Sequence, residues 1–314
     1  MKLGVVAYPG SINIGDEVQS VAAERLLPKV DYYIDREGMK NFQSEERVKL
    51  ICNGWFMEEP DNWPPSPSID PLFISFHVTN SNASHQKLLS PNLVDYYKQH
   101  EPIGCRDLAT VRLFEKIGVK AYLSQCLTLT LENNFKERND KILLVDPFRR
   151  NFTKGYRDYY TKKLVPEKYH DQVEIIEQRR YNLEADRETR FKDASDLIDK
   201  YAQAKMVITS RIHCALPCLA LGTPVYFVNS GYTTKASLND RFEGLIELFN
   251  VIGPEHFPHT SKSISDYARR FLNIYKEKDI KPLNIDWENP DPNPVDITNI
   301  KNKLKETVAN FIKE

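Results

Sequence analysis

At 314 residues the chain is roughly twice the length of an average domain of some 150 residues, which predicts two domains with separate cores. Hydrophobic residues make up 41% and charged residues 28%, with 16 Tyr and 15 Phe, which excludes a mainly disordered chain. Lys plus Arg total 43 against 44 Asp plus Glu, a formal charge of -1, so no overall field favours nucleic acid or an anionic membrane and any anion site must be local.

Residues 3–8 form a nearly continuous apolar run that breaks at Pro9-Gly10, the pattern of a buried parallel strand entering a loop. Beyond the loop, Val18, Val21, Ala22, Leu26 and Leu27 recur at near-helical spacing until Pro28. Strand, polar loop and helix are the first half of a βαβ unit. Strands are predicted over 48–52, 72–76, 102–105 and 121–123, with helices over 88–97 and 108–117, the latter closed by Gly118. Residues 133–140 are polar except for Phe135 and read as an interdomain linker.

The alternation then restarts. Strands are predicted over 141–147, 173–176, 205–209 and 224–228, and helices over 156–164, 187–204 and 212–221. The expected fold is α/β, with two Rossmann-like parallel-sheet domains facing across a cleft over 1–135 and 140–286. The remainder, 287–314, is an extension in which Asp296 caps a helix carrying Ile297, Ile300, Leu304, Val308 and Phe311 on one stripe, suited to cross back to the first domain. The five cysteines, Cys52, Cys105, Cys126, Cys214 and Cys218, are odd in number, widely spaced and set mostly in apolar runs, as reduced core thiols of a cytoplasmic protein would be. The N-terminal apolar run is too short for a signal peptide, and no stretch approaches about 18 uninterrupted apolar residues, so membrane association is expected to be peripheral at most.

Four constellations lie at predicted strand ends, where doubly wound sheets bind ligands. In the loop from Gly10 to Glu17, Gly15 permits close approach, Ser11 and Asn13 offer hydrogen bonds, and Asp16 supplies a carboxylate or, alternatively, caps the helix. In Ser210-Arg211-Ile212-His213, a helix N-terminus, a guanidinium and an imidazole meet beside small apolar residues, a combination suited to phosphate or carboxylate and to proton transfer. Lys235 and Arg241 add positive charge after the next strand. Arg106-Asp107 and His77 follow two strands of the first half; each is a candidate for the cleft, with an internal ion pair or helix cap as the alternative for Arg106. No spacing suggests a metal, a Walker loop or a nucleophile elbow.

Taken together, Asn13-x-Gly15-Asp16-Glu17, Arg106-Asp107 before a helix ending in Gly118, and Ser210-Arg211-Ile212-His213 running into Ala220-Leu221-Gly222-Thr223-Pro224-Val225 resemble the polysaccharide pyruvyl transferase family. The resemblance implies a fold like the two-Rossmann GT-B glycosyltransferases and transfer of a pyruvyl group from phosphoenolpyruvate onto two hydroxyls of a sugar, without a cofactor. It implies a small-molecule donor on the second domain and a sugar or lipid-linked oligosaccharide acceptor on the first, with no nucleic acid, in capsule, exopolysaccharide or cell-wall glycan synthesis. By matching position, Arg211 and His213 are the donor-binding pair. His213 is then the candidate acid and Asp16 the candidate base, while Ser210, Lys235, Arg241, Arg106, Asn13, Gly15 and His77 bind substrate. Trp55, Trp63 and Tyr232 offer faces for a sugar.

Two departures from the family pattern are visible. Asn53-Gly54-Trp55 stands where a glycine cluster is usual, and Ser124-Gln125-Cys126-Leu127 replaces an Asp-Pro pair. They keep open an inactive glycan-binding relative, and the architecture equally suits a glycosyltransferase that would bind a nucleotide sugar through Glu243.

Overall fold

The first apolar run forms β1 (Lys2–Ala7), whose four central residues are buried because the strand lies inside a parallel sheet covered on both faces. The loop after it leads into α1 (Ile14–Glu24), and the chain continues through β2 (Tyr32–Asp35), β3 (Val48–Trp55), β4 (Ile69–His77), α2 (Ala83–Leu88), α3 (Val94–Lys98), β5 (Ile103–Cys105), α4 (Leu108–Lys116) and β6 (Ala121–Leu123). The second half contains β7 (Ile142–Val145), α5 (Lys154–Lys163), β8 (Val173–Ile176), α6 (Arg187–Gln203), β9 (Met206–Thr209), α7 (Ile212–Ala220), β10 (Val225–Val228) and β11 (Asn250–Ile252), and the C-terminal helix is α8 (Thr298–Phe311). These elements come from a computed structural model that describes residues 1–79, 83–148, 154–229, 241–257 and 281–313.

Two all-parallel sheets result, ordered β2-β1-β3-β4-β5-β6 and β11-β10-β9-β7-β8, which is the α/β class expected from the sequence. Each has one switch point where the chain reverses its direction of winding, between β1 and β3 in the first sheet and between β7 and β9 in the second. The loops that leave those four strands begin at Tyr8, Phe56, Asp146 and Ser210, so topology alone directs two of the candidate segments toward a crevice.

Sequence and structure differ in several places, among them the edge strand β11, which was not predicted. The short edge strand β2 was not predicted, because its burial is only partial and Tyr32-Tyr33-Ile34-Asp35 carries no continuous apolar run. The predicted helix over 88–97 is broken into α2, a 3-10 turn at Pro91–Leu93 and α3, because Pro91 has no N–H to continue a helix. Each half has an apolar cluster of its own, around Phe73 and Phe76 in the first and around Leu144 and Phe148 in the second, and a third cluster, not expected, spans both. Helix α1 is buried on nearly every side, through Gly15, Glu17, Val18, Gln19, Ser20, Val21, Ala22 and Ala23. A helix buried all round needs cover beyond its own sheet, and α6 and α7 supply it: Val5, Val18 and Val21 share one apolar cluster with Phe191, Leu197 and Ile198 of α6 and Leu216 of α7.

Polar contacts strengthen that junction. Arg190 on α6 donates to Glu17 Oε1 (2.9 Å) and to the carbonyl of Ser11 (3.0 Å). Helix α8 crosses back as its stripe suggested, burying Leu304 and Val308 in the shared cluster, while Lys301 donates to the Leu131 carbonyl (2.7 Å) and Lys49 of β3 to that of Phe311 (2.7 Å). Arg138, in the polar connection between the halves, donates to the carbonyls of Ala202 (2.6 Å) and Leu221 (2.9 Å), satisfying groups that α6 and α7 leave open at their ends. Among the described residues, no helix is long and apolar enough to cross a membrane.

Candidate functional site

The loop after β1 is tied by its own side chains. Asn13 caps α1, its Oδ1 accepting from the Gly15 N–H (3.2 Å), so the cap is Asn13 and not Asp16. This frees the Asp16 carboxylate for other partners: it accepts from Ser11 Oγ (2.6 Å) and Asn13 Nδ2 (2.9 Å). Desolvation in this setting raises the Asp16 carboxyl above its ordinary range, against the opposing pull of these hydrogen bonds and of Arg36 and Arg211. The Arg36 guanidinium is stacked between the rings of Tyr8 (5.1 Å) and Trp55 (5.0 Å).

From the second half, α7 brings Arg211 and His213 to the same place. A β-carbon added to Gly15 would stand 3.1 Å from His213 Cβ, so glycine is what lets α1 and α7 approach this closely. His213 sits in a kink within the first turn of α7, at φ -84° and ψ 19°. It is 7% exposed, and its Nε2 has no partner among the described residues. Burial and the positive fields of Arg106, Arg241, His77 and Arg211 hold its pKa well below that of an ordinary histidine, so the ring is neutral. Ser210, expected to bind substrate, instead donates its hydroxyl to the Asp146 carbonyl (2.7 Å).

Arg106 follows β5 and is 1% exposed. Its Nε and Nη2 have no hydrogen-bond partner among the described residues, and its nearest counter-charge, Asp107 Oδ2, lies 3.5 Å from Nε. Asp107 is committed elsewhere. It caps α4 through Thr110 N (2.9 Å) and Thr110 Oγ1 (2.8 Å) and faces His77 Nδ1 at 2.6 Å. His77 was expected to bind substrate, but both ring nitrogens are engaged, Nδ1 with Asp107 and Nε2 with Thr79 Oγ1 (3.3 Å), which makes it a buried support for the Arg106 turn. Burial, reinforced by Arg106, lowers the His77 pKa to about 4.

The remaining candidates divide. Arg241 joins the cluster through its field on His213, Arg106 and His77. Lys235 and Tyr232 lie outside the described residues. Trp63 is packed among Phe56, Phe73, Phe76, Tyr96 and Tyr97 and belongs to the core. Glu243 is held by Arg112 in a two-pronged ion pair (2.9 and 2.5 Å), which removes the carboxylate on which a ribose-binding reading depended. At Asn53-Gly54-Trp55 the one retained glycine is indispensable: Gly54 has φ +115° and an added β-carbon would lie 2.3 Å from Tyr8 Oη. In the other departure, Ser124 links the Ser75 N–H (2.9 Å) to the Cys105 carbonyl (3.0 Å), a tie between neighbouring strands.

Like Arg36, two further residues around the site escaped sequence reasoning, Asp146 and Gln178. Asp146 accepts from Arg211 Nε (2.8 Å), and Gln178 Nε2 donates to the His213 carbonyl (3.0 Å). Asp146 lay in a predicted strand end beside Pro147, and Gln178 in a polar stretch with no motif. Only the position of β7 between β8 and β9 brings them behind α7.

The two halves together bring three arginines, a neutral histidine and a carboxylate into one neighbourhood, a set of charges chemically suited to an anion. A search of curated proteins returned no match. A crystal structure of a functionally uncharacterized protein from Klebsiella pneumoniae subsp. pneumoniae is similar with a TM-score of 0.44 and 16% identity, covering 76% of this chain and 88% of that one. The family model for polysaccharide pyruvyl transferases matches residues 13–232, from the cap of α1 past the end of β10. That span is well over half of the chain and holds Asn13, Asp16, Arg106, Arg211 and His213, so the protein belongs to the polysaccharide pyruvyl transferase family.

Proposed function

We propose that the protein transfers the pyruvyl group of phosphoenolpyruvate to two hydroxyls of a sugar, free or lipid-linked, to form a ketal during synthesis of a capsule, exopolysaccharide or cell-wall glycan. The observation that carries this reading is Arg106, a buried guanidinium with two unmatched nitrogens. Leaving a buried donor unmatched costs about 1–3 kcal/mol, a cost that folding tolerates where a ligand later meets the group. Phosphoenolpyruvate is a compact carrier of phosphate and carboxylate charge, and Arg106, Arg211 and Arg241 offset that charge, Arg106 from a buried position.

One sugar hydroxyl adds to the enol carbon of phosphoenolpyruvate while the methylene carbon gains a proton and becomes a methyl group. Inorganic phosphate then leaves, and the second hydroxyl adds to the same carbon, completing the ketal. The net reaction joins diol and phosphoenolpyruvate to give ketal and phosphate. His213 supplies the methylene proton. Its surrounding cations keep it neutral before the donor arrives, and the negative charge of the donor reverses that field and raises its affinity for a proton. Asp16, on the first half, accepts the hydroxyl proton, aided by a carboxyl already displaced upward.

Thermal unfolding tests the donor directly. Phosphoenolpyruvate at 100 times its Kd should stabilise the protein by about 2.7 kcal/mol, and nucleotide sugars should not. Phosphate release with candidate lipid-linked sugars then tests transfer, and loss of activity in both His213→Ala and Arg211→Ala is the expected result. Retention of pyruvyl transfer in both variants refutes the assignment. Binding of a glycan without any phosphate release identifies an inactive relative.

A further inference from the structure

We propose that Asp146 and Gln178 are positioning residues, a brace behind α7 that aims Arg211 and fixes His213; the inference rests on the donor-site reading above. The brace begins with a missing hydrogen bond. In a regular helix the carbonyl of His213 would accept from the N–H four residues later, but that residue is Pro217, which has none. The freed carbonyl is taken by the side-chain amide of Gln178, a residue 1% exposed. The kink at His213 is therefore held from outside the helix, and the ring direction that follows from it depends on Gln178.

Asp146 does the corresponding work for Arg211. Its Oδ2 accepts from Arg211 Nε (2.8 Å) and from the backbone N–H of Gln178 (3.2 Å), so both members of the brace meet at one oxygen. Holding the guanidinium by Nε leaves its two terminal nitrogens available for an anion. Asp146 has φ +38°, a backbone conformation that Asp and Asn tolerate better than other side chains and that persists only where surrounding contacts enforce it. Those contacts are present: its N–H donates to the Ile176 carbonyl (3.1 Å), and its own carbonyl accepts from Ser210 Oγ (2.7 Å).

The same segment reaches the first half of the chain. Arg179 forms an isolated antiparallel bridge with Asn13, and the Arg180 N–H donates to the Ile12 carbonyl (2.8 Å). A β-carbon on Gly15 would stand 3.4 Å from Gln178 Cδ. Gln178 is thus packed between the loop that carries Asp16 and the helix that carries His213, and it keeps the two loops in register.

The test is calorimetric titration of phosphoenolpyruvate into the full-length protein, combined with double-mutant cycles. Asp146→Asn keeps the shape and the backbone tolerance but loses the charge, and Gln178→Met keeps the volume but loses the donor. Each should weaken phosphoenolpyruvate about tenfold; the thermal midpoint should change little in Asp146→Asn and fall in Gln178→Met, which leaves the His213 carbonyl buried and unmatched. Because each residue acts through another, Asp146→Asn should have no further effect in an Arg211→Ala background, nor Gln178→Met in a His213→Ala background. If Gln178→Met does not fold, Gln178→Glu, which cannot donate when ionised, should reproduce the loss and its dependence on His213. Single variants that bind as wild type does, or losses that simply multiply in the double variants, overturn the brace. A wild-type protein that does not bind phosphoenolpyruvate refutes the donor reading itself, a distinct result.

Discussion

Replacing Arg106 by Met separates the demands of ligand binding from those of folding. Without ligand the Arg106 guanidinium is buried, two of its nitrogens are unmatched, and desolvation pulls its pKa below the usual arginine range. Each unmatched donor costs about 1–3 kcal/mol. The offsetting attraction to Asp107 acts at 3.5 Å, and Asp107 keeps His77 and Thr110 when Arg106 is gone. Methionine fills a similar volume with a flexible apolar chain. Arg106→Met should therefore be more stable than wild type without ligand by about 1–2 kcal/mol, raising Tm by about 2–8 °C. Phosphoenolpyruvate, losing two charge-assisted hydrogen bonds, should bind about 100-fold more weakly. Thermal unfolding over a titration of phosphoenolpyruvate measures both quantities together. A ligand-free variant less stable than wild type, or one still protected to the same extent, refutes the claim that Arg106 is held unmatched for an anion.

Three further outcomes are expected. Phosphoenolpyruvate binding near pH 7.5 should draw a proton onto His213, so the calorimetric enthalpy should vary with the ionisation enthalpy of the buffer in wild type and less so in His213→Ala; equal dependence in the two proteins counts against His213 as the acid. Gly15→Ala places a β-carbon 3.1 Å from His213 Cβ and should cost about 1–3 kcal/mol by overpacking while also weakening donor binding, whereas unchanged binding shows that the approach of α1 to α7 is not critical. His77, with its pKa lowered to about 4, is neutral in the folded protein, and the unfolded chain binds its proton first as pH falls. Its contribution of up to about 3 kcal/mol is complete above the unfolded pKa and is lost as pH falls from 6.5 toward 4, so His77→Gln should show a flatter acid limb in urea unfolding; parallel limbs contradict the assignment.

Much of this protein is written locally. Alternating apolar runs and helical stripes give the strands and helices of two parallel sheets, because a buried strand needs a continuous apolar run and a surface helix needs one apolar face. Glycines and prolines mark where elements end, and the short motifs around Asp16, Arg106 and Arg211 fall at strand ends where parallel sheets bind ligands. The roles within those motifs were less legible. Whether Asp16 or Asn13 caps α1, whether His77 faces substrate or Asp107, and whether Arg106 is paired all depend on partners far away in the chain.

Tertiary structure decided the rest. Residues 146 and 178 carry no motif, since their function is to contact Arg211 and His213 through strand order rather than through sequence spacing. The composition showed a charge of -1 and placed any anion site locally. Where that site lies was fixed by the burial of α1 against α6, which joins the two halves through a shared apolar cluster and brings Gly15 against His213. Sequence periodicity specifies how each element meets water and its immediate neighbours, whereas the charge on a buried side chain depends on every group packed around it.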